Sequence, residues 1–173
     1  MRSRLIIAVI IATLCLTSVA AMGFEPMTAT IRVSNGNMYD YVIIGEHPKA
    51  TDGYDNAYDT ISPGNLNADM GQPFISVIIT HPDWKPAMRE LRGDIRSLAQ
   101  RQEWQLAITT SLPKGAPLNV ALQPDRTTLT KGVKLTLKDE TTKKETDLKA
   151  VNYTIPAPGP GIPTTLLVIA EQP

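Results

Sequence analysis

Three aspartates stand close together in a stretch rich in glycine, at a spacing that could serve either a metal ion or a loop. They are Asp52, Asp55 and Asp59, within the segment from Gly45 to Asp59. With carbonyl groups of the same loop they could supply the oxygen ligands that Ca²⁺ prefers, although the spacing is not that of an EF-hand. Seven acidic but only two basic residues lie between positions 24 and 75, so this part of the chain is where a cation would bind.

The same acids have a second interpretation, in which they order the loop rather than bind a metal. Aspartate side chains accept hydrogen bonds in Asx turns and at helix ends, and they pair with arginines such as Arg92 and Arg96. We expect this loop-ordering role, with a carboxylate of Asp55 or Asp59 paired to Arg96. Calcium at Asp52, Asp55 and Asp59 is the alternative, and no other cofactor is expected.

The chain has two histidines, His47 and His81, each followed by proline. Two histidines exclude a three-histidine metal centre and leave little acid–base chemistry. We expect both on surface turns. The sequence lacks the short motifs of serine hydrolases, zinc proteases, phosphate-binding loops and dinucleotide folds. It therefore predicts no catalytic residue, and we expect a protein that is not an enzyme.

Aromatic side chains suggest a carbohydrate ligand as a second function. Trp84 and the tyrosines Tyr39, Tyr41, Tyr54 and Tyr58 could stack on sugars, although packing is the commoner use of such rings. An aromatic content of 5% is low for the lined cleft of a glycosidase. The deciding feature is whether Trp84, Tyr54 and Tyr58 form one exposed platform or pack inward.

Several short motifs resemble those of a largely uncharacterised β-sandwich module of large secreted and surface proteins in bacteria. They are Gly45 followed by Ala50-Thr-Asp-Gly-Tyr-Asp55, then Asp59, Pro63, His81-Pro-Asp-Trp84, Leu91, Asp94-Ile-Arg96 and Trp104. The similarity covers about residues 27 to 170. It implies a structural or accessory module rather than a known reaction.

Composition excludes several other classes of protein. The apolar fraction of 42% in 173 residues is ordinary for a globular domain. Lys plus Arg equals Asp plus Glu at 17 each, which removes the electrostatic argument for a nucleic-acid partner. With 14 Pro and 11 Gly, a turn-rich fold without long helices is favoured.

The first 21 residues have the three-part pattern of a secretory signal peptide. Arg2 and Arg4 precede an apolar run that ends near Leu16, and cleavage after Ala20 or Ala21 fits the preference for small residues. The apolar run is shorter than the ~18 to 20 residues of a membrane span. Since Cys15 is the one cysteine, the mature chain would contain no disulfide or cysteine metal site.

The remainder, residues 22–173, reads as one domain of about eight short strands separated by turns. The fold class predicted is all-β, an antiparallel β-sandwich of immunoglobulin-like or jelly-roll-like type. A long Asp-, Gly- and Pro-rich loop without helix or strand is expected at 45–73, and a helical turn or extended excursion at 87–98. Trp104 is expected in the core, and the tip at 139–145 in solvent. The predicted strands are 27–33, 39–44, 74–80, 102–109, 118–122, 133–137, 148–155 and 164–169.

These observations together predict a secreted, non-catalytic binding, structural or accessory module at the bacterial cell envelope or outside the cell. A small carbohydrate-binding or carbohydrate-active protein is the alternative. The expected partner is a protein or glycan at the cell surface, in the periplasm or outside. We expect no nucleic-acid partner and no membrane span after the signal peptide is removed.

Overall fold

The computed structural model describes residues 23–84 and 90–173, and within them the chain is all-β. Eleven strands are present rather than the eight expected, and the missed ones are short or lie in segments without clear alternation. One short helix, α1 (Leu66–Asp69), and one turn of 3-10 helix (Pro124–Arg126) accompany them. The strands are β1 (Met27–Asn35), β2 (Met38–Glu46), β3 (Thr60–Ile61), β4 (Ile75–Thr80), β5 (Leu91–Arg96), β6 (Arg101–Thr110), β7 (Pro117–Leu122), β8 (Lys134–Asp139), β9 (Glu145–Asp147), β10 (Tyr153–Pro156) and β11 (Thr164–Glu171).

The predicted first hairpin is confirmed. β1 and β2 pair along their whole length, from Met27 opposite Glu46 to Asn35 opposite Met38. The turn between them places Gly36 at a φ of 55°, a left-handed backbone that glycine adopts without steric cost. Alternation of buried and exposed side chains along β1 is the period-two pattern that predicted the strand.

The strands form a mixed sheet that is nearly closed into a barrel, in the order β10-β7-β1-β2-β5-β4-β6-β11-β8-β9, with β3 paired to β5. The expectation of a purely antiparallel sheet is wrong, because β2 and β5 run parallel. Among the described residues, one bridge joins the two halves of the sheet, between Ile79 of β4 and Leu91 of β5. At the opposite seam, the hydroxyl of Tyr153 in β10 donates to Asp139 of β8 at 3.2 Å.

Strand β5 is the longest of the three strands that the sequence did not predict, the others being β3 and β9. It lies inside 87–98, where a helical turn or an extended excursion was expected; of that stretch, 87–89 is outside the described residues. Its sequence, Leu-Arg-Gly-Asp-Ile-Arg, carries three charges and one glycine, which hide the usual alternation. β5 is nevertheless central, because it pairs with β2, β3 and β4.

The long connection at 45–73 also differs from expectation. Its first two residues end β2, and it contains β3 and α1. The side chain of Asn65 caps α1 by accepting from the backbone N–H of Ala68. The same Asn65 donates to the carbonyl of Ile75, which ties the end of the loop to β4.

One apolar core lies inside the sheet. Trp104, Leu106 and Ile108 of β6 are all buried, as their alternation predicted. The core role of Trp104 is thus confirmed. At 139–145, by contrast, the expected solvated tip begins with a buried residue: Asp139 accepts from the backbone N–H groups of Thr141 and Thr142.

The two ends of the described chain are tied to the end of β2 by a buried carboxylate. Oε2 of Glu46 accepts from the backbone N–H of Ala99 at 3.0 Å and from Nε2 of Gln172 at 2.9 Å. Nε2 of Gln172 also donates to the carbonyl of Glu25. Oε1 of Glu46 is buried without a hydrogen-bond partner among the described residues, and burial raises the pKa of this carboxyl.

The proposed signal peptide at 1–21 and the segment 85–89 lie outside the described residues. Within residues 23–84 and 90–173, no helix has the length and apolar character needed to cross a membrane.

Candidate functional site

The acidic loop after β2 is folded by its own aspartates. Oδ2 of Asp59 accepts from the backbone N–H of Asp55 at 2.6 Å, and its Oδ1 accepts from the N–H of Ile95 in β5 at 3.0 Å. The carboxylate thus closes the loop and fastens it to the strand. Burial raises the pKa of Asp59, while these two hydrogen bonds act in the opposite direction.

Asp52 and Asp55 bind backbone in the same way, at more exposed positions. Oδ1 of Asp52 accepts from both the hydroxyl and the N–H of Ser97, at 2.7 and 3.2 Å, and from Nε2 of Gln102. The hydroxyl of Ser97 is the main reason why the pKa of Asp52 is lowered. Oδ1 of Asp55 accepts from the N–H of Ala57, which is an Asx turn.

The loop-ordering role of the acids therefore has a geometric basis, but the expected arginine partner was wrong. Arg96 pairs with Asp94, its neighbour two residues away on the same strand, through Nε at 3.1 Å from Oδ2. The carboxylates of Asp55 and Asp59 instead accept hydrogen bonds from backbone N–H groups. Among the described residues, no three acids or histidines gather closely enough to form a metal-holding group.

The glycine that opens the motif is required by close packing. Gly45 of β2 faces Ile95 across the parallel pair. A Cβ atom at this position would lie 2.5 Å from the carbonyl oxygen of Met27 and 2.8 Å from Cδ1 of Ile95. A larger residue would force β1 or β5 away from β2.

His81 is buried, with 8% of its surface exposed, and the expectation of a surface turn was wrong for this residue. Its Nε2 lies 2.8 Å from Oδ2 of Asp94. Its Nδ1 lies 3.3 Å from Nη2 of Arg96, which also lies 3.4 Å from Nε2. Nε2 thus faces the carboxylate of Asp94, and the guanidinium of Arg96 contacts both ring nitrogens. Both nitrogens are therefore engaged within the protein.

Arg96 links this histidine to the core. Its guanidinium carbon lies 5.3 Å from the ring centroid of buried Trp104, within the range of a cation–π contact. Its Nη1 lies 3.4 Å from Oε1 of Gln102. Asp94 itself is only 1% exposed and accepts from both Arg96 and His81. Buried charges of this kind are stable only when paired and hydrogen-bonded, as here.

Trp84 lies on top of this cluster. Its ring stacks on His81, with centroids 3.8 Å apart and planes inclined by 6°. It is half-buried and forms part of a cleft of about 330 Å³. We call this the Trp84 cleft. Its lining residues are Thr80, His81, Pro82, Asp83, Trp84, Arg96, Glu103, Gln105 and Leu167.

A second cavity, of about 360 Å³, lies next to Gly45, at the end of β2 and the beginning of β1. Its walls include Met27, Ile95 and a second pair of stacked rings, His47 and Tyr58, whose centroids are 4.7 Å apart at 30°. We call this the Tyr58 cavity. Nδ1 of His47 accepts from the backbone N–H of Lys49, so this histidine is held by a local turn.

The three aromatic residues that could have formed one sugar platform are distributed differently. Trp84 lines the Trp84 cleft, Tyr58 lines the Tyr58 cavity, and each stacks on its own histidine. Tyr54 packs against the core, with its hydroxyl 3.1 Å from Asn56. The three rings therefore do not form one exposed platform, and of the three only Trp84 borders a polar cleft.

The Asp94–His81 pair was not predicted, although the sequence held a signal for it. Ile75, Val77 and Ile79 face the core along β4, and the same period of two places position 81 on that face. Asp94 and Arg96 likewise share one face of β5. The pair was missed because β5 was not predicted as a strand.

No family model, no curated protein and no solved structure matches the chain.

Proposed function

We propose that this chain is a non-catalytic binding module that acts at the bacterial cell envelope or outside the cell, with the Trp84 cleft as its binding site. The supporting observation is that the indole of Trp84 is fixed by stacking on a histidine whose two nitrogens are themselves held. A ring held in this way loses little conformational freedom when a ligand binds, which favours affinity.

We propose no catalysis because the candidate catalytic groups are already hydrogen-bonded to other groups of the protein. A general base needs a free nitrogen or oxygen within hydrogen-bond reach of its substrate. Both nitrogens of His81 are engaged by Asp94 and Arg96, and one face of its ring is covered by Trp84. Both oxygens of Asp59 accept from backbone N–H groups, and Oδ1 of Asp52 accepts from Ser97 and Gln102.

Carbohydrate binding is the second candidate, and the polar cleft beside a tryptophan favours it over carbohydrate cleavage. Cleavage uses two carboxyl groups, of which one is protonated because its surroundings are apolar. The carboxylates of the cleft, Asp83 and Glu103, are both exposed. Glu103 is moreover ion-paired to Arg101, with 2.6 Å between Oε1 and Nη2.

Export is a further part of the proposal and rests on the pattern of the first 21 residues. If the chain is exported, the mature protein begins at Ala21 or Met22. Mass spectrometry of the protein from periplasmic and culture fractions of its bacterium tests this, because an intact N-terminus in the cytoplasm would contradict export.

A two-layer β-sandwich remains our proposal for the finer architecture. It is supported by the pairing of β4 with β5, where residues 23–84 and 90–173 contain only the bridge between Ile79 and Leu91, with five strands of the main order on either side. Amide hydrogen exchange that opens the two halves as separate units would support it.

The binding function is tested by sedimentation of the purified protein with isolated cell envelopes. We expect the protein to bind the envelopes saturably. We also expect it to release no sugar fragments beyond those that the envelopes release without the protein. Failure to bind envelopes, or release of new sugar fragments, would contradict a non-catalytic binding module.

A further inference from the structure

We propose that the Trp84 cleft binds a neutral pyranose sugar, as a free oligosaccharide or as part of a glycan. This inference rests on the binding function proposed above and names the class of its ligand. It is argued from the floor, the wall and the charges of the cleft.

The floor of the cleft is a row of side chains across three strands. Thr80 of β4 lies opposite Gln105 of β6, which lies opposite Leu167 of β11. Residues in such a register project from the same face of the sheet. The row therefore offers a hydroxyl, an amide and an apolar patch side by side. A sugar presents the matching groups, hydroxyls that donate and accept and ring carbons that are apolar.

The wall of the cleft is the indole of Trp84. A pyranose with equatorial hydroxyls presents C–H groups on one face, and these pack on the electron-rich face of an aromatic ring. His81 covers one face of the indole, and the indole forms part of the lining of the cleft. The ring is held from below by Asp94 and Arg96 through His81, so that it is oriented before a ligand arrives.

The charges around the cleft favour a neutral sugar over an acidic one. Asp83 and Glu103 are carboxylates at its surface, and both are exposed. The guanidinium of Arg96 is already paired with Asp94. A uronic acid would meet the carboxylate of Asp83 and that of Glu103, which is ion-paired to Arg101, and would find Arg96 already paired with Asp94. The volume of about 330 Å³ lies at the lower end of small-molecule sites, which fits one or two sugar rings.

The test is a titration of the purified protein with cellotriose, a flat neutral β-linked trisaccharide, followed by calorimetry and tryptophan fluorescence. The variants are Trp84→Ala, Trp84→Phe and, as a matched control, Tyr58→Ala, which removes the ring stacked on the other histidine. Trigalacturonate serves as the acidic sugar. The melting temperature of each variant is measured first, so that loss of binding is not confused with loss of folding.

We expect saturable binding of cellotriose by the wild type and weaker binding of trigalacturonate. Trp84→Ala should lose about tenfold or more in affinity, a loss that corresponds to about 1.4 kcal/mol. Trp84→Phe should retain part of the affinity, and Tyr58→Ala should change it by less than about twofold. The fluorescence change should vanish in Trp84→Phe, because Trp104 is fully buried.

Three results would overturn the proposal. They are the absence of cellotriose binding in the wild type, undiminished binding in Trp84→Ala, and stronger binding of trigalacturonate. If the wild type binds cell envelopes but not cellotriose, and Trp84→Ala loses the envelope binding, the sugar proposal fails and the binding function at the Trp84 cleft stands. If neither envelopes nor cellotriose bind, both fail.

Discussion

The molecule contains two histidines stacked on aromatic rings, and the two stacks differ in geometry and in the groups that hold each histidine. His81 and Trp84 are nearly parallel at 3.8 Å, whereas His47 and Tyr58 lie 4.7 Å apart at 30°. In the sequence the two histidines look alike, since each is followed by proline. In the structure, only the first of them is tied to a buried ion pair.

The difference comes from the strand next to each histidine. His81 continues the core face of β4 and meets Asp94 and Arg96 of β5, and Arg96 in turn contacts the ring of Trp104. His47 follows β2, and its Nδ1 accepts from the backbone two residues further on. A side chain held by charged, buried partners resists rearrangement, whereas one held by a local turn moves with its loop.

The two clefts differ accordingly in character. The Trp84 cleft has a hydroxyl, an amide and two carboxylates around one indole. The Tyr58 cavity is walled mostly by apolar groups, among them Met27 and Ile95. A polar cleft beside a fixed ring suits a ligand that makes directed hydrogen bonds. For this reason we propose that the sugar binds at Trp84 rather than in the Tyr58 cavity.

The largest expected effect is on stability, from removal of Trp104, the core residue that contacts Arg96 below the Trp84 cleft. Trp104→Ala should lower the free energy of unfolding by about 3 to 5 kcal/mol, because it leaves a cavity in the core and removes the ring under Arg96. Urea denaturation measures the change. Melting like that of the wild type would contradict the core role of this tryptophan.

The next prediction compares the two histidines directly. His81→Ala should cost about 2 to 3 kcal/mol of unfolding free energy, because it leaves Asp94 buried with one donor fewer. His47→Ala should cost only about 0.5 to 1 kcal/mol, the value of an aromatic contact at a half-exposed site. Thermal and urea unfolding of both variants provide the measurement. Equal costs would remove the distinction between the two stacks.

A smaller effect concerns pH and the buried Glu46. Its pKa is raised by burial, so the folded state holds a proton that the unfolded state has released, and stability falls as pH rises through the raised pKa. Glu46→Gln removes this titration. Its melting temperature relative to the wild type should therefore increase as pH rises above 4.5 towards neutrality. A difference that is constant with pH would show that Glu46 does not titrate in this way.

The smallest expected effect is that of calcium. Asp52, Asp55 and Asp59 already accept hydrogen bonds from the protein, so we expect equal melting temperatures in millimolar calcium and in chelator. If the site bound calcium with a dissociation constant a hundredfold below the free calcium concentration, the folded state would gain about 2.7 kcal/mol of stability, which a melting curve resolves. Such a shift, lost in Asp52→Asn, would restore the metal interpretation.

The sequence predicted the parts of the fold that obey simple periodicity. The hairpin of β1 and β2 and the strand around Trp104 alternate cleanly, and both are confirmed. β5 escaped prediction because Arg92, Asp94 and Arg96 occupy its alternate positions, and buried charges look like surface ones until their partners are known. The burial of His81 and of Asp139 was not predicted for the same reason, because polar residues are expected at the surface.

The site was predictable only in outline for a related reason. A local pattern identified the loop with Asp52 and Asp59, because Asx turns and glycines act within a few residues. Which strand those acids bind depends on the parallel pairing of β2 with β5, a contact between residues about fifty positions apart. Spacing along the chain carries no information on that pairing.

The most direct test of the difference between the two stacks is a two-dimensional ¹H–¹⁵N spectrum of the labelled protein, recorded during titration with cellotriose. The chain has two tryptophans, so one indole N–H signal reports on the Trp84 cleft and the other on the buried core. We predict that the Trp84 indole signal shifts progressively while the Trp104 signal and the amide of Tyr58 stay in place. Shifts confined to the Tyr58 cavity, or no shift at all, would contradict the account.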